Sequence, residues 1–288
     1  MLPFISILGR EYPTFNLLGL VGFFLATTVA GLRAGRYGLP KSDPIYMGTF
    51  AGIGLLVGSS LLFGITQTPA MWAHRAYFTT DFVHFMIRWF GGMVFYGGLF
   101  GAIAGIFLYC KVMQQPFATA MKLAIPVVPL AHAIMRVGCF SAGCCHGMEH
   151  RLGVTFTNSL GAPNGVPLIP VQLFEAAANL IIFAVLWVFT RKEAAAPLPE
   201  GSGSGIHSRC SGGAWGRAPL QKSWGVLAAI YGLMYSFTRF WLEFLRGDAI
   251  RGFAFGLSTS QIISILVFFA CCVYIYTIKS APSRSPEA

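Results

Sequence analysis

Long apolar runs separated by short polar or basic segments make up most of this chain of 288 residues. A helix needs roughly 20 apolar residues to cross the hydrocarbon core of a bilayer. Runs that approach this length lie at about residues 14–32, 45–65, 91–109, 117–135, 170–189, 224–245 and 257–278. The pattern predicts an all-α integral membrane protein with about seven transmembrane helices.

Composition supports this class and excludes a soluble enzyme. The chain is 55% hydrophobic and only 10% charged, whereas soluble domains carry about 25% charged residues. The formal net charge of +10 does not indicate nucleic-acid binding, because the basic residues lie mainly in short loops between apolar runs. Basic loops of this kind face anionic lipid, and no nucleic-acid partner is expected.

The distribution of lysine predicts the orientation in the membrane. With seven spans the two termini lie on opposite sides, and every lysine then falls on one face: Lys41, Lys111, Lys122, Lys192, Lys222 and Lys279. By the positive-inside rule this face is cytoplasmic, so the N-terminus is outside and the C-terminus is cytoplasmic. No cleavable signal peptide is expected, because Arg10, Glu11 and Pro13 interrupt the first apolar residues.

The chain reads as one polytopic membrane domain, residues 1–288, with two segments that do not span. Residues 66–90 are aromatic and amphipathic, which is typical of a helix lying on the membrane surface. Residues 194–221 are rich in Ala, Gly, Ser and Pro. We expect them to form a flexible cytoplasmic linker between spans five and six.

The fourth span is predicted to be broken. Pro126 and Pro129 each remove a backbone donor, which kinks or ends a helix. Arg136 follows the apolar run, and a glycine-rich turn that includes Gly138 is expected after it. The break would direct this arginine and the turn into the protein interior.

Arginines at membrane depth require an explanation, because charge there is costly. Besides Arg136, the sixth span carries Tyr235, Arg239, Glu243 and Arg246 at a spacing that shares one helix face. A structural ion pair with Glu243 would account for one arginine. Because few other acids are expected at this depth, the remaining guanidiniums favour a binding site for phosphate, which arginine contacts bidentately.

Cysteine and histidine cluster after the fourth span. Cys139, Cys144 and Cys145 precede His146 and His150 in a C-x4-C-C-H-x3-H pattern, which is not a standard zinc spacing. We rank three interpretations of these cysteines. Packing, or a disulfide from Cys139 to Cys144 or Cys145, comes first, a reactive thiol second and a metal site third. His132, one turn before Arg136, is either a base or a satisfied interior histidine.

Four motifs in order resemble those of the bacterial prolipoprotein diacylglyceryl transferases. They are G-G-M-V-F-Y-G-G-L (91–99), R-V-G-C-F-S-A-G (136–143), P-V-Q-L-F-E-A (170–176) and F-T-R-F-W-L-E-F-L-R (237–246). The resemblance implies an enzyme of the bacterial inner membrane. It would move the diacylglyceryl group of phosphatidylglycerol to a cysteine thiol of a lipoprotein precursor and release glycerol phosphate.

The resemblance also implies roles for individual residues. Arg136, Arg239 and Tyr96 occupy catalytic positions. Residues expected to bind substrate are Arg246, Glu243, Gln172, Glu175, Tyr235, Gly97, Gly98 and Gly138. No cofactor and no metal ligand are implied.

The chain departs from the family pattern at several positions. Tyr96 stands where the family usually has histidine, often proposed as the base, and Ile169 replaces another histidine. Cys139, Cys144 and Cys145 stand where asparagine and an Asn–Gly–Glu sequence are usual. The alternatives are a paralogue that transfers lipid to a different thiol or hydroxyl, or a non-catalytic lipid-binding protein or transporter.

Overall fold

A computed structural model describes residues 1–73, 81–193, 217–247, 253–254 and 256–280. The helices among them are α1 (Thr14–Ala34), α2 (Asp43–Ala73), α3 (Phe82–Phe90), α4 (Phe95–Val112), α5 (Phe117–Ala124), α6 (Val128–Ala142), α7 (Val171–Glu193), α8 (Arg217–Glu243) and α9 (Thr259–Ser280). The strands are β1 (Phe4–Ile7), β2 (Arg10–Pro13), β3 (Glu149–Thr155), β4 (Pro167–Leu168), β5 (Phe253–Ala254) and β6 (Leu257–Ser258). Most of the predicted linker, residues 194–221, lies outside the described residues. Its last residues, from Arg217 onward, belong to α8.

The mostly helical chain is a multi-pass membrane protein. Among the described residues, four helices are long and apolar enough to cross a bilayer: α1, α2, α7 and α9. The pair α5 and α6 passes the same test as one unit and is bent by 42°. The bend lies between Ala124 and Val128, where Pro126 interrupts the helix. The predicted break in this span is therefore present.

The helix after the break is longer than the sequence suggested. Arg136, Gly138 and Cys139 all lie inside α6, which continues to Ala142, whereas a turn was expected directly after Arg136. Gly143 ends the helix with a left-handed φ of 75°, and its N–H bonds to the carbonyls of Cys139 and Phe140. A left-handed residue after the last turn is a common glycine helix end, so the turn begins at Gly143 rather than directly after Arg136.

The chain divides into two compact units. One consists of Met1–Gly38 and Lys122–Ala288, and the other of Leu39–Met121. In the second unit α2 packs along α4 through glycines that bring the two backbones together: Gly54, Gly58, Gly97, Gly101 and Gly105. Such close approach is typical of membrane helix pairs that use small residues. Tyr109 of α4 also donates a buried hydrogen bond to Asp43 of α2 (2.8 Å).

In the first unit the helices pack in sequence, α1 on α6, α6 on α7, α7 on α8 and α8 on α9. Buried Arg33 joins the end of α1 to α7. Its guanidinium stacks on the Trp187 ring, donates to the Trp187 carbonyl (2.7 Å) and contacts the Thr190 hydroxyl. These bonds satisfy a buried charge at one end of the helix pair.

Residues 149–168 contain the antiparallel strands β3 and β4. Beneath them Phe156, Ala162 and Leu168 form a small buried cluster with Phe140 of α6 packed against it. The cluster anchors the segment that leads from α6 to α7. The described part of the chain has two further two-stranded sheets, β1 with β2 and β5 with β6.

Candidate functional site

Glu175 is the centre of a charged network inside the first unit. This carboxylate lies on α7 with a side chain only 2% exposed, and its Oε1 atom is 2.9 Å from Nη2 of Arg136 on α6. Its Oε2 atom is 3.7 Å from Nη1 of Arg239 on α8. The phenol of Tyr235 on α8 donates to Oε1 at 3.4 Å. One buried acid therefore joins three helices.

Glu243 completes the network on α8. Its Oε2 atom lies 3.0 Å from Nη2 of Arg239, one turn earlier on the same helix, and that nitrogen also donates to the Ser260 hydroxyl at 3.4 Å. Each of the two central arginines thus has a carboxylate partner. The ion-pair explanation, which the sequence allowed for one arginine, applies to both Arg136 and Arg239.

One donor in this network is left over. Nη1 of Arg239 is buried and has no hydrogen-bond partner among the described residues; the Glu175 oxygen is too distant at 3.7 Å. A buried charged donor without a partner is costly. The arrangement can therefore bind one more acceptor, such as an anionic oxygen, beside the carboxylates.

His132 lies next to Arg136 on α6. Its Nε2 atom accepts a hydrogen bond from Nε of Arg136 (3.2 Å) and is 4.0 Å from Oε1 of Glu175. A ring nitrogen that accepts a bond from a guanidinium carries no proton itself. Of the two interpretations left open by the sequence, these contacts favour a satisfied interior histidine.

One face of α7 carries further polar side chains. Gln172, Glu175 and Asn179 are spaced by three and four residues and are all buried. Nε2 of Gln172 donates to the Cys144 carbonyl (2.7 Å), and Nδ2 of Asn179 donates to the Glu175 carbonyl (2.8 Å). Within the described chain Oε1 of Gln172 and Oδ1 of Asn179 accept no hydrogen bond. Asn179 was missed from the sequence, although its spacing from Glu175 could have identified it.

The turn after α6 brings three sulfur atoms together. The Sγ atoms of Cys139, Cys144 and Cys145 all lie within 4.8 Å of one another, and in this part of the structure all three are free cysteines. The disulfide considered from the sequence is therefore not formed here. The Cys144 thiol donates to the Cys139 carbonyl at 3.7 Å. The neighbouring Cys139 and Cys144 thiols and Arg246 hold the pKa of Cys145 well below its usual value.

The remaining predicted site residues fall into two groups. Arg246 forms a β-bridge with Gly147 in the first unit. A Cβ on Gly138 would lie 3.3 Å from Phe15, so this glycine also serves the contact of α6 with α1.

Tyr96, Gly97 and Gly98 belong to α4 in the other unit. Packing against α2 accounts for Gly97, because a Cβ there would lie 2.3 Å from the Gly58 carbonyl oxygen. Their contact with substrate stays a prediction.

Known proteins resemble the chain over almost its whole length. The family model described as prolipoprotein diacylglyceryl transferase matches residues 4–277. A phosphatidylglycerol–prolipoprotein diacylglyceryl transferase of Clostridium tetani is 30% identical over 90% of each chain. The phosphatidylglycerol–prolipoprotein diacylglyceryl transferase 2 of Clostridium perfringens is 27% identical to this chain, and the alignment covers 97% of this chain and 95% of the relative. The chain belongs to the prolipoprotein diacylglyceryl transferase family.

Proposed function

We propose that this member of the family transfers the diacylglyceryl group of phosphatidylglycerol to a cysteine thiol of a lipoprotein precursor. The names of the relatives support the donor and the acceptor. The geometric support is Nη1 of Arg239, a buried donor that has no hydrogen-bond partner among the described residues and lies 3.7 Å from Oε2 of Glu175. A phosphate oxygen of the donor lipid would satisfy this donor.

The arginine network suits the chemistry of the leaving group. Transfer breaks the bond between a glyceryl carbon and a phosphate oxygen, and negative charge grows on the departing glycerol phosphate. Guanidiniums that are already oriented stabilise such charge without reorganising during the reaction. Glu175 and Glu243 hold Arg136 and Arg239 in position through ion pairs of 2.9 and 3.0 Å. The two carboxylates therefore act as positioning residues.

Polar groups around the network extend the proposed site. Tyr235 and Gln172 border Glu175 on two helices, and Arg246 and Gly138 flank the cysteine turn. Oε1 of Gln172 and Oδ1 of Asn179 accept no hydrogen bond from the described residues, and hydroxyl groups of the phosphatidylglycerol headgroup would supply donors to them. For Tyr96, Gly97 and Gly98 the proposal rests on the family resemblance of their motif alone.

We further propose seven spans in a bacterial plasma membrane. The four long helices and the bent pair supply five of these spans. The sixth is α4, an apolar helix over Tyr96–Val112, and the seventh is α8, whose 27 residues are long enough to cross. The lysine distribution then supports an external N-terminus and a cytoplasmic C-terminus. In this orientation the loop between α6 and α7 faces outward, where lipoprotein precursors emerge.

The test is a transfer assay with the full-length protein in lipid nanodiscs. The nanodiscs contain phosphatidylglycerol with a labelled diacylglyceryl group, and the acceptor is a peptide with a lipobox cysteine. We expect labelled peptide carrying a thioether, and release of one glycerol phosphate for each peptide modified. The matched control peptide has serine in place of cysteine and should stay unlabelled.

Two results would contradict the proposal. The first is an unlabelled cysteine peptide under conditions in which a family relative of known activity labels it. The second is equal labelling of the serine peptide, which would indicate a hydroxyl acceptor and hence a paralogue of different specificity.

A further inference from the structure

Three thiols converge at the end of α6 because the backbone folds back on itself there. Gly143 reverses the chain in a left-handed conformation, and the Cys144 N–H bonds to the Cys139 carbonyl (3.1 Å). Cys145 also has a positive φ of 60°, a left-handed conformation that residues with a side chain seldom adopt. The result is that all three Sγ atoms lie within 4.8 Å of one another.

The turn is tied to the neighbouring elements of the charged site. Gln172 of α7 binds the Cys144 carbonyl (2.7 Å), and Gln172 lies one turn before Glu175. On the other side the Met148 N–H bonds to the Leu245 carbonyl (2.9 Å), and the Gly247 N–H bonds to the His146 carbonyl (3.2 Å). The thiols are thus held beside the arginine network rather than on a free loop.

The spacing of the sulfur atoms is compatible with a metal site. Three thiolates around one tetrahedral zinc ion, with Zn–S bonds of about 2.3 Å, lie roughly 3.8 Å apart, within the observed limit of 4.8 Å. Cys139 is buried, and Cys144 and Cys145 are partly buried, so one side of the cluster remains accessible. A disulfide would use two of the sulfurs and leave the third without a role.

We propose that Cys139, Cys144 and Cys145 bind one zinc ion and that the acceptor cysteine takes its fourth coordination position. Three protein ligands with one open position are characteristic of catalytic zinc. The inference rests on the proposed function, because it assigns the acceptor of that reaction to the metal. It assigns to this chain a metal site that the family resemblance does not imply.

Zinc would solve the problem of activating the acceptor. A thiol that coordinates zinc is deprotonated, and its proton passes to water. The zinc-bound sulfur then attacks the glyceryl carbon of the lipid, a C–S bond forms, and the C–O bond breaks with its electron pair remaining on the phosphate oxygen. The products are the thioether and glycerol phosphate, and nothing is oxidised or reduced.

The charge around the cluster suits a bound zinc ion. Zinc with three thiolates carries one net negative charge, and Arg246 lies beside Cys145 to balance it.

The first measurement is metal content. The full-length protein is purified without chelator in the presence of zinc, dialysed against metal-free buffer and analysed by elemental mass spectrometry. We expect about one zinc ion per chain, and loss of most of this zinc in Cys139→Ser, Cys144→Ser and Cys145→Ser. The matched control is Cys272→Ser, which removes a thiol of α9 outside the cluster and should retain the metal.

The second measurement tests the open position without relying on activity. Cobalt replaces zinc in the wild-type protein, and its visible absorption reports the number and geometry of thiolate ligands. Adding the lipobox peptide without donor lipid should intensify the thiolate-to-cobalt absorption, whereas the serine peptide should leave it unchanged. Because the wild-type chain is used, misfolding of a variant cannot mimic the result.

The outcomes separate this inference from the proposed function. Zinc-free protein with full transfer activity, or a disulfide within the cluster in protein purified aerobically with zinc, would overturn the metal site and leave the transferase intact. A cobalt spectrum that ignores the cysteine peptide would overturn the acceptor role. Zinc binding and a peptide response without any lipid transfer would support the metal site and contradict the proposed function.

Discussion

Arg136 of α6 and Glu175 of α7 form a buried ion pair with 2.9 Å between Nη2 and Oε1. Breaking a buried pair by removing one partner costs about 3–5 kcal/mol, because the other charge is left uncompensated. The pair therefore fixes the broken fourth span against α7. It also orients the guanidinium that we propose binds phosphate.

Arg136→Ala and Arg239→Ala should each reduce transfer strongly. Loss of one preorganised donor to a developing oxyanion typically lowers the rate by about 10²–10³-fold. Arg239→Lys should fail similarly, because an ammonium group cannot reproduce the planar contacts of a guanidinium. The measurement is turnover in the nanodisc assay at matched protein levels. Arg36→Ala is the control, since Arg36 is exposed in the segment that follows α1. Near-normal turnover in both alanine variants would exclude the phosphate role.

Glu175→Gln should make stability depend on anionic lipid. The substitution keeps the size of the side chain but leaves Arg136 and Arg239 without their shared carboxylate. A bound phosphate would compensate these charges, so phosphatidylglycerol should raise the unfolding temperature of the variant more than that of wild type, relative to phosphatidylcholine. Asp81→Asn makes the same chemical change at an exposed ion pair with His84 and should behave like wild type. Equal responses in all three proteins would argue against phosphate binding here.

Tyr96→Phe should lower turnover moderately, by about tenfold, if the phenol donates a hydrogen bond to the phosphate or acceptor. A phenol O–H can donate a hydrogen bond to an anionic oxygen. Tyr96→His should be tolerated or more active on the lipobox peptide. Both variants are measured with the same donor and acceptor. A silent phenylalanine variant together with an inactive histidine variant would leave Tyr96 only a packing role.

Gly54→Ala should destabilise the second unit, whereas Gly52→Ala should not. A Cβ at Gly54 would lie 2.1 Å from the Gly101 carbonyl oxygen, but one at Gly52 would meet no described atom within 4 Å. Forcing α2 from α4 is expected to cost about 1–3 kcal/mol, and Gly-to-Ala in an open helix position is mildly stabilising. Thermal unfolding in one detergent compares the two variants. Equal melting temperatures would mean that the helix pair does not hold this unit together.

Deletion of residues 194–216 should preserve transfer. These residues are rich in Gly, Ser, Ala and Pro, a composition typical of linkers that tolerate change. The deletion ends at 216 because α8 begins at Arg217. A short Gly/Ser replacement of variable length serves as the control for chain closure. Inactive but well-expressed protein in every replacement would assign a binding role to this segment.

The pattern of residues along the chain was sufficient to predict the structural features that depend on composition and local chemistry. Long apolar runs require burial in lipid, so the membrane class followed directly from them. Pro126 cannot continue a helix, so the break before α6 was predictable. The i, i+4 spacing of Arg239 and Glu243 likewise predicted their contact on α8, which the structure has at 3.0 Å.

Only the tertiary structure decided which side chains from different helices meet. No local rule indicates that Glu175 lies between Arg136 and Arg239, because these contacts depend on how α6, α7 and α8 pack. The sequence also did not predict that α6 ends at Ala142, because the helix continues through Gly138, where it packs on α1. The meeting of Cys139, Cys144 and Cys145 depends in turn on the left-handed backbone at Gly143 and Cys145. Long-range packing and backbone reversal set these distances, and neither is encoded in spacing along the chain.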